Sequence, residues 1–360
     1  MSGRRLGVMA GLCLLLPGLA LAGGTLKIFQ VRSDGNYGDA TYHIFPNGRN
    51  GCIDGGGSTA VPSAATVFMD AAIGNGGTLW YMVMSHAHTD HYYGLTSYLP
   101  RYVVMRYYSS FPENSPNPPG AAAYATFVNN LNTEFGNPYT ASANCYEIIA
   151  TGNPATTAKV SGPSTDTGPG WDPSVDALVV HGEELGNSTD PNINSVSYHI
   201  WYGSNTVETG GDSPNGPEVN MTTNYGGAGG RIYRNVQLFK AHHHGSNGAN
   251  YDTWFNTIAP PDPIKRYIYN CTGDIASAHT LTAASATRII NSERTWYRTD
   301  LDGAAGFAAN GDGNWATVRQ YVYSEGGATT HVNPAAPPTI GTLSGAAAAP
   351  NANLSWTAAG

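Results

Sequence analysis

Three histidines and an aspartate crowd into six residues of this sequence: His86, His88, Asp90 and His91, in the run Met82-Val-Met-Ser-His-Ala-His-Thr-Asp-His91. Alternate imidazoles at His86 and His88 can face one cation, while Asp90 and His91 can face a second. Neutral imidazole and carboxylate are the donors that zinc, manganese or iron accept. Two such cations side by side make a nucleophile from water at neutral pH and grip the substrate oxygen beside it. An apolar strand precedes the cluster and Gly94 follows it, the pattern of a ligand-bearing loop rather than of a histidine-rich surface turn.

The run Ser85-His-Ala-His-Thr-Asp-His91, followed by Tyr92-Tyr-Gly-Leu95, resembles the HxHxDH signature of the metallo-β-lactamase fold superfamily. Its flanks look like the metallo-hydrolase domain of ComEC-type competence proteins. Further stretches resemble that branch in the same order, from about Leu26 to Tyr323. Cys52-Ile-Asp54-Gly-Gly-Gly57 is similar to an "IDGG" step, whose aspartate lies beneath the metals and orients their ligands. Thr209-Gly-Gly-Asp212 is similar to a "TGD" whose aspartate bridges two metals. His243-His244-Gly245-Ser246 is similar to an "HHGS" step, with His242 as an extra histidine in front of it. Trp296-Tyr-Arg-Thr-Asp-Leu-Asp-Gly303 is similar to a "YRTDLDG" ending.

The resemblance implies an α/β fold: an αββα sandwich of two mixed β-sheets flanked by helices. It implies two divalent metal ions, zinc or manganese, held by His86, His88, Asp90, His91, Asp212 and His243. Asp54, His244 and Ser246 would support those ligands. Asp90 is the residue on which turnover should depend most, and His279 either donates a proton to the leaving group or contacts substrate. One departure stands out. Most of the superfamily carries a further metal histidine before the strand leading to the bridging aspartate, where this sequence has Asp190-Pro-Asn-Ile-Asn-Ser195, similar to the branch's "NDNS". The first ion would be left with His86, His88, Asp212 and water, a shell that suits a metal tolerant of oxygen ligands, such as manganese.

The elements that must position these residues are legible as alternation. Leu26–Val31 and Ala40–Phe45 read as a hairpin, and Thr78–Met84 as the strand that delivers the first histidines. Val175–Val180, Val196–Tyr202, Val236–Ala241 and Arg266–Tyr269 read as further strands. Helical spacing appears from Pro62 to Gly74, from Ala121 to Phe135 and from Thr282 to about Asn291. Tyr102–Met105 reads as a short strand, while Ser109–Gly120 and Gly152–Ser174 read as loops.

The chain has 360 residues, 41% hydrophobic and 12% charged, enough for one large domain with a real core plus a small appendage. Residues 1–22 have the basic start, apolar stretch and small-residue ending of a secretory signal peptide, so a secreted protein is expected. No later segment is long and apolar enough for membrane insertion. Residues 23–332 would form the hydrolase domain. Residues 333–360 read as a linker and the truncated start of a fibronectin type III-like module. Of the cysteines outside the leader, Cys52, Cys145 and Cys271, at most two can form a disulfide, and no pairing follows from the sequence.

Losing Arg4 and Arg5 with the leader takes 17 basic residues to 15 against 25 acidic, near −10. Such a surface counts against tight nucleic-acid binding. Even so, the resemblance implies hydrolysis of a phosphodiester, as in a nuclease, with Arg101, Arg106, Arg266 and Arg298 placed to line a phosphate path. The alternative is hydrolysis of a carboxylic ester or lactone, on an extracellular substrate that could be polymeric, with Tyr81, Tyr92, Tyr93, Tyr107 and Tyr108 as an aromatic rim. The missing third histidine argues against β-lactam hydrolysis. The full set of metal-binding side chains argues against a non-catalytic binding protein.

Overall fold

In a computed structural model of the chain, the described residues are 24–31, 38–57, 63–110, 121–147, 157–161, 172, 174–181, 190–225, 236–246, 248–258, 267–270, 295–299 and 305–319. The leader, the segment from 333 onward, His279, Cys271, Arg266 and the expected helix at 282–291 lie outside them. Among the described residues, Cys52 and Cys145 are free thiols, and no helix is long and apolar enough to cross a membrane.

Two sheets carry the architecture. The first runs β17(Ala316–Arg319), β16(Ala305–Ala309), β1(Leu26–Gln30), β2(Thr41–Ile44), β3(Asn50–Ile53), β5(Tyr81–Val83), β7(Tyr107–Ser109) and β8(Cys145–Glu147) from edge to edge. It is antiparallel from β17 to β3 and parallel from β3 to β8. The second runs β15(Thr295–Arg298), β14(Tyr267–Asn270), β13(Leu238–Lys240), β12(Asn205–Gly210), β11(Val196–Tyr202), β10(Val175–His181) and β9(Thr157–Ser161). Its first four strands are parallel and its last four antiparallel. β4(Thr78–Leu79) and β6(Val103–Val104) pair apart as a small parallel ribbon. The strand expected from Thr78 to Met84 is thus divided at Trp80, which is bonded through its N–H to Asn50 O and covered by the Arg49 guanidinium 3.7 Å above its ring.

Period-two alternation builds the layers. Ile28, Tyr81 and Val83 point into the space between the sheets, where they meet Tyr198, Ile200, Val207 and Leu238. Their neighbours Phe29 and Met82 point the other way. There they pack under α1(Ala64–Ile73), α2(Thr89–Tyr98) and α3(Ala121–Phe135), against Phe68, Leu95, Tyr98, Phe127 and Leu131. On the second sheet Leu238 faces inward and Phe239 outward, onto Trp254 and Phe255 of α5(Asp252–Ile258), beside α4(Asn215–Tyr225). Helix, sheet, sheet, helix is the layering implied by the sequence resemblance, and it arises because each sheet has two apolar faces to cover.

Two elements and one set of side chains depart from the sequence expectations. α2 starts inside the histidine motif, with His88 at its N-cap position and Asp90 in its first turn. β9 lies within the stretch expected as the Gly152–Ser174 loop. The proposed aromatic rim is largely core: Tyr81, Tyr92, Tyr107 and Tyr108 are fully buried.

Candidate metal centre

Parallel strands leave their loops at one edge of a sheet, and four of them deliver the site. β3 ends at Asp54, β5 leads to His86 and His88, β12 ends before Asp212, and β13 runs into His242-His243-His244. Asp90 and His91 sit on the first turn of α2, where the helix dipole favours a carboxylate. α2 is held against the glycine turn after β3: Gly55 N donates to His91 O at 2.7 Å and Gly94 N to Gly56 O at 3.0 Å. A Cβ on Gly94 would stand 1.8 Å from Gly55 O, so no other residue fits there without moving the helix.

Asp212 is the meeting point. Its Oδ2 lies 3.7 Å from His86 Nε2, 3.3 Å from His91 Nε2 and 3.3 Å from His244 Nε2. His244 Nε2 is also 3.0 Å from Asp90 Oδ2, and His91 Nε2 is 3.5 Å from it. Two groups of side chains therefore offer mutually close ligand atoms: His86, His88 and Asp212, and Asp90, His91, Asp212 and His244. They share Asp212. Asp190 and Ser195 flank the place where a further histidine was missed; Ser195 Oγ accepts the Asp212 N–H at 3.1 Å.

The late histidines take different places from those expected. His244, expected as a supporting residue, reaches Asp90 and Asp212, whereas His243, expected as a ligand, stays at the mouth, 26% exposed and 3.9 Å from Asp212. The backbone explains the exchange. His243 and His244 both adopt left-handed φ, 49° and 53°, and Gly245 continues at 75°. Ordinary helical backbone would not swing successive side chains this way. Ser246 closes the turn by donating its backbone N–H to His243 O at 2.7 Å.

Behind the ligands stands a layer of carboxylates. Asp54 accepts from Ser85 N at 2.7 Å and Ser85 Oγ at 2.6 Å, and lies 2.8 Å from His91 Nδ1. From there it faces the His91 ring on the side away from Asp212. Asp39 does the same for His244, at 3.2 Å from Nδ1, and is itself paired with the buried ammonium of Lys240. Lys240 Nζ donates to Gly211 O and Ala241 O, both at 3.1 Å, tying the loop after β12 to the loop after β13. Asp39 and Lys240 were not singled out from the sequence. The one signal was a lysine directly after Leu238-Phe239 in the strand Val236–Ala241.

Electrostatics separates the two groups. Burial drives the His86 and His88 imidazoles toward the neutral form, the state that ligates metal. Burial pushes His91 and His244 the same way, but Asp212 and the other carboxylates overcome it and hold both well above the ordinary histidine value. Burial opposes charge on Asp212, yet the surrounding histidines, His244 first, hold it well below the usual carboxylate range.

A divalent cation fits this donor set. Neither Asp212 oxygen nor His91 Nε2 makes a hydrogen bond within the described structure, although all three atoms are buried. A cation bound between them would take up lone pairs that the protein leaves without a well-directed hydrogen bond. The atoms on offer are imidazole nitrogens and carboxylate oxygens, the ligands of zinc and manganese.

Two of the expected phosphate-path arginines face other partners. Arg101 is paired with Asp70 of α1, and the Arg106 guanidinium lies 5.6 Å over the Tyr146 ring. Asp190 lies near enough to His88 to affect its charge. His279, expected as a proton donor, is outside the described residues.

No family model matches the chain, and no curated protein matches it. Solved structures do. One is Igni18, a metallo hydrolase from the archaeon Ignicoccus hospitalis, at 10% identity over 79% of this chain and 98% of that one, with a TM-score of 0.44. A second is Tm1679, a metal-dependent hydrolase of the β-lactamase superfamily, at 11% identity over 76% and 95%, with a TM-score of 0.40. A third is the long form of RNase Z from yeast, at 13% identity over 70% of this chain and 38% of that one, with a TM-score of 0.36. The chain's own layers, with the candidate metal-binding side chains on loops at the ends of β3, β5, β12 and β13, give it a metallo-β-lactamase-type fold.

Proposed function

We propose that the protein is an exported metal-dependent hydrolase that cleaves phosphodiesters with two divalent cations, zinc or manganese. The observation that carries this reading is the pair of ligand groups sharing Asp212. Bound there, a cation pair supplies Lewis acidity and a water acidic enough to lose its proton near neutral pH.

The chain's own residues set the conditions for that chemistry. Asp54 and Asp39 each face an Nδ1 atom, of His91 and His244 respectively, and so fix the tautomer that turns Nε2 toward Asp212. Met84, Ala87 and Tyr92, in and beside the Ser85–His91 run of the chain, are buried in the apolar cluster under the helices of the first sheet. His243 stands at the open side, where its imidazole can meet the leaving oxygen of a substrate.

A specific observation favours a second reading, hydrolysis of a neutral carboxylic ester or lactone. Arg101 and Arg106 are turned to other partners, while Asp190 brings negative charge to the His88 side of the mouth. A panel of bis(p-nitrophenyl) phosphate, p-nitrophenyl acetate, a γ-lactone and plasmid DNA distinguishes the two. Turnover of the phosphodiester, abolished by a chelator and restored by Mn2+ or Zn2+, is expected. Faster ester or lactone turnover would establish the second reading. Metal-loaded protein inert toward all four would overturn both.

A further inference from the structure

The first of the three histidines after β13 turns away from the cations. His242 is fully buried, with Nδ1 2.9 Å from Glu218 Oε1 and Nε2 3.1 Å from Glu208 Oε1. Its ring packs against Trp254 at 5.0 Å and Phe239 at 5.4 Å. Its main chain is clasped as well: its N–H donates to Asn250 Oδ1 at 2.8 Å, and its carbonyl accepts from Asn250 Nδ2 at 2.7 Å. Asn250, at φ 61°, in turn donates its own N–H to Glu218 Oε1 at 2.7 Å. Strand β12, helix α4 and the segment before α5 thus converge on one residue.

Stability alone is a poor reason for this arrangement. Two buried carboxylates around one imidazole carry a desolvation cost that an apolar side chain would avoid, and Phe239 and Trp254 already provide apolar surroundings. The two residues next in the chain supply a better reason. Left-handed backbone costs a residue with a side chain about 1–2 kcal/mol, and His243 and His244 adopt it in succession. Such a turn persists where its surroundings over-determine it. His242 is the fixed point immediately upstream.

We propose that the Glu208–His242–Glu218 bridge, clasped by Asn250, is a positioning device that sets this turn and so places His244 Nε2 for the cation position formed by Asp90, His91, Asp212 and His244. It leaves the His86–His88 position independent of it. The proposal rests on the hydrolase reading. His242 is a positioning residue and touches no substrate.

Asn250→Gly tests this, because glycine keeps the positive φ while removing both hydrogen bonds to His242. Chelator-treated protein is titrated with Co2+, read by calorimetry and visible absorption, and amide exchange at residues 243–245 is followed without metal. Wild type should take up two ions per chain. The variant should bind one with unchanged affinity and the other about 10- to 100-fold more weakly, with faster exchange in the turn. Phe68→Leu, a core change under α1, should lower the melting temperature and leave both binding steps intact. His242→Gln provides the same readout if Asn250→Gly does not fold. Unchanged affinity at both positions, or equal weakening of both in step with melting, overturns the proposal. A wild type that binds no Co2+ overturns the hydrolase reading and the proposal with it.

Discussion

His244 and His243 differ by one position and by everything that matters for a cation. His244 lies 3.0 Å from Asp90 and 3.3 Å from Asp212, fully buried, while His243 is at the mouth. His244→Ala should therefore lose one of two bound ions and lower kcat by at least about 100-fold. His243→Ala should keep both ions and lose activity by a smaller factor. Metal analysis of the two purified variants checks this, and the reverse pattern would restore the register read from the sequence. His86, His88, Asp90 and His91 were legible because they lie in one short motif. The exchange of His243 for His244 was not, because three successive left-handed residues leave no mark in spacing. Asp39 and Lys240 were hidden for another reason: each acquires its role from a partner in the opposite sheet. Away from the site, His43 carries a pH dependence. It is sealed between the sheets, with Nδ1 2.8 Å from Tyr81 Oη and its ring stacked on Tyr198, and burial lowers its pKa to about 3. The folded value lies below the unfolded one, so the unfolded chain binds the extra proton as pH falls. Stability is full above the unfolded pKa and declines from about pH 6.5 toward 3, by up to about 1.4 kcal/mol per unit. Urea midpoints of metal-free wild type and His43→Phe between pH 7 and 4.5 should show the shallower decline in the variant. Parallel curves would remove His43 as a source.

α2 is the element on which the site turns, and its helical character was not read from the sequence. Its residues Thr89 to Tyr98 include Gly94, Thr96 and Ser97, all buried, so no apolar stripe announces a helix. The strands of the first sheet were readable because they alternate between two apolar clusters, and those of the second because one face of each enters the shared core. α1 and α3 were readable because their apolar residues recur at helical spacing. β9 was concealed by a Pro, Thr and Gly-rich context that suggests loop. Since α2 carries Asp90 and His91, its seating on the Gly55 turn should matter to the metal more than its size suggests. Gly94→Ala drives a methyl group into the Gly55 carbonyl, a backbone atom that cannot rotate away. A stability loss of about 2–3 kcal/mol is expected, at the upper end for overpacking. Cation affinity should fall with it, because the helix carries two ligands as it shifts. Denaturation midpoints and Co2+ titration of the variant check both parts. A variant with a lowered midpoint and wild-type affinity would mean that Asp90 and His91 are held by Asp54 and Asp39 rather than by the helix seat.

At the scale of the molecule the cation site is a joint between the two sheets. His86, His88, Asp90 and His91 follow strands of the first sheet, while Asp212 and His244 follow β12 and β13 of the second. Protein contacts cross the same seam: Val196 N donates to Ser85 O at 2.9 Å, and Asp39 pairs with Lys240. Without a cation, Asp90 and Asp212 face the buried imidazoles of His91 and His244, and Asp212 also faces His86. A ligand that binds the folded chain alone stabilises it by mass action, by about 2.7 kcal/mol at a free concentration 100 times its dissociation constant. For a domain of about 300 residues that corresponds to a rise of roughly 4 °C in melting temperature. Zn2+ or Mn2+ added to chelator-treated protein should produce this shift. Amide exchange should slow at the site-facing ends of both sheets together, after β5 and after β12. Asp212→Asn should lose most of the shift, because both ligand groups depend on that side chain. Protection confined to the loop after β5 would mean that the cation is held by one sheet and does not join the halves.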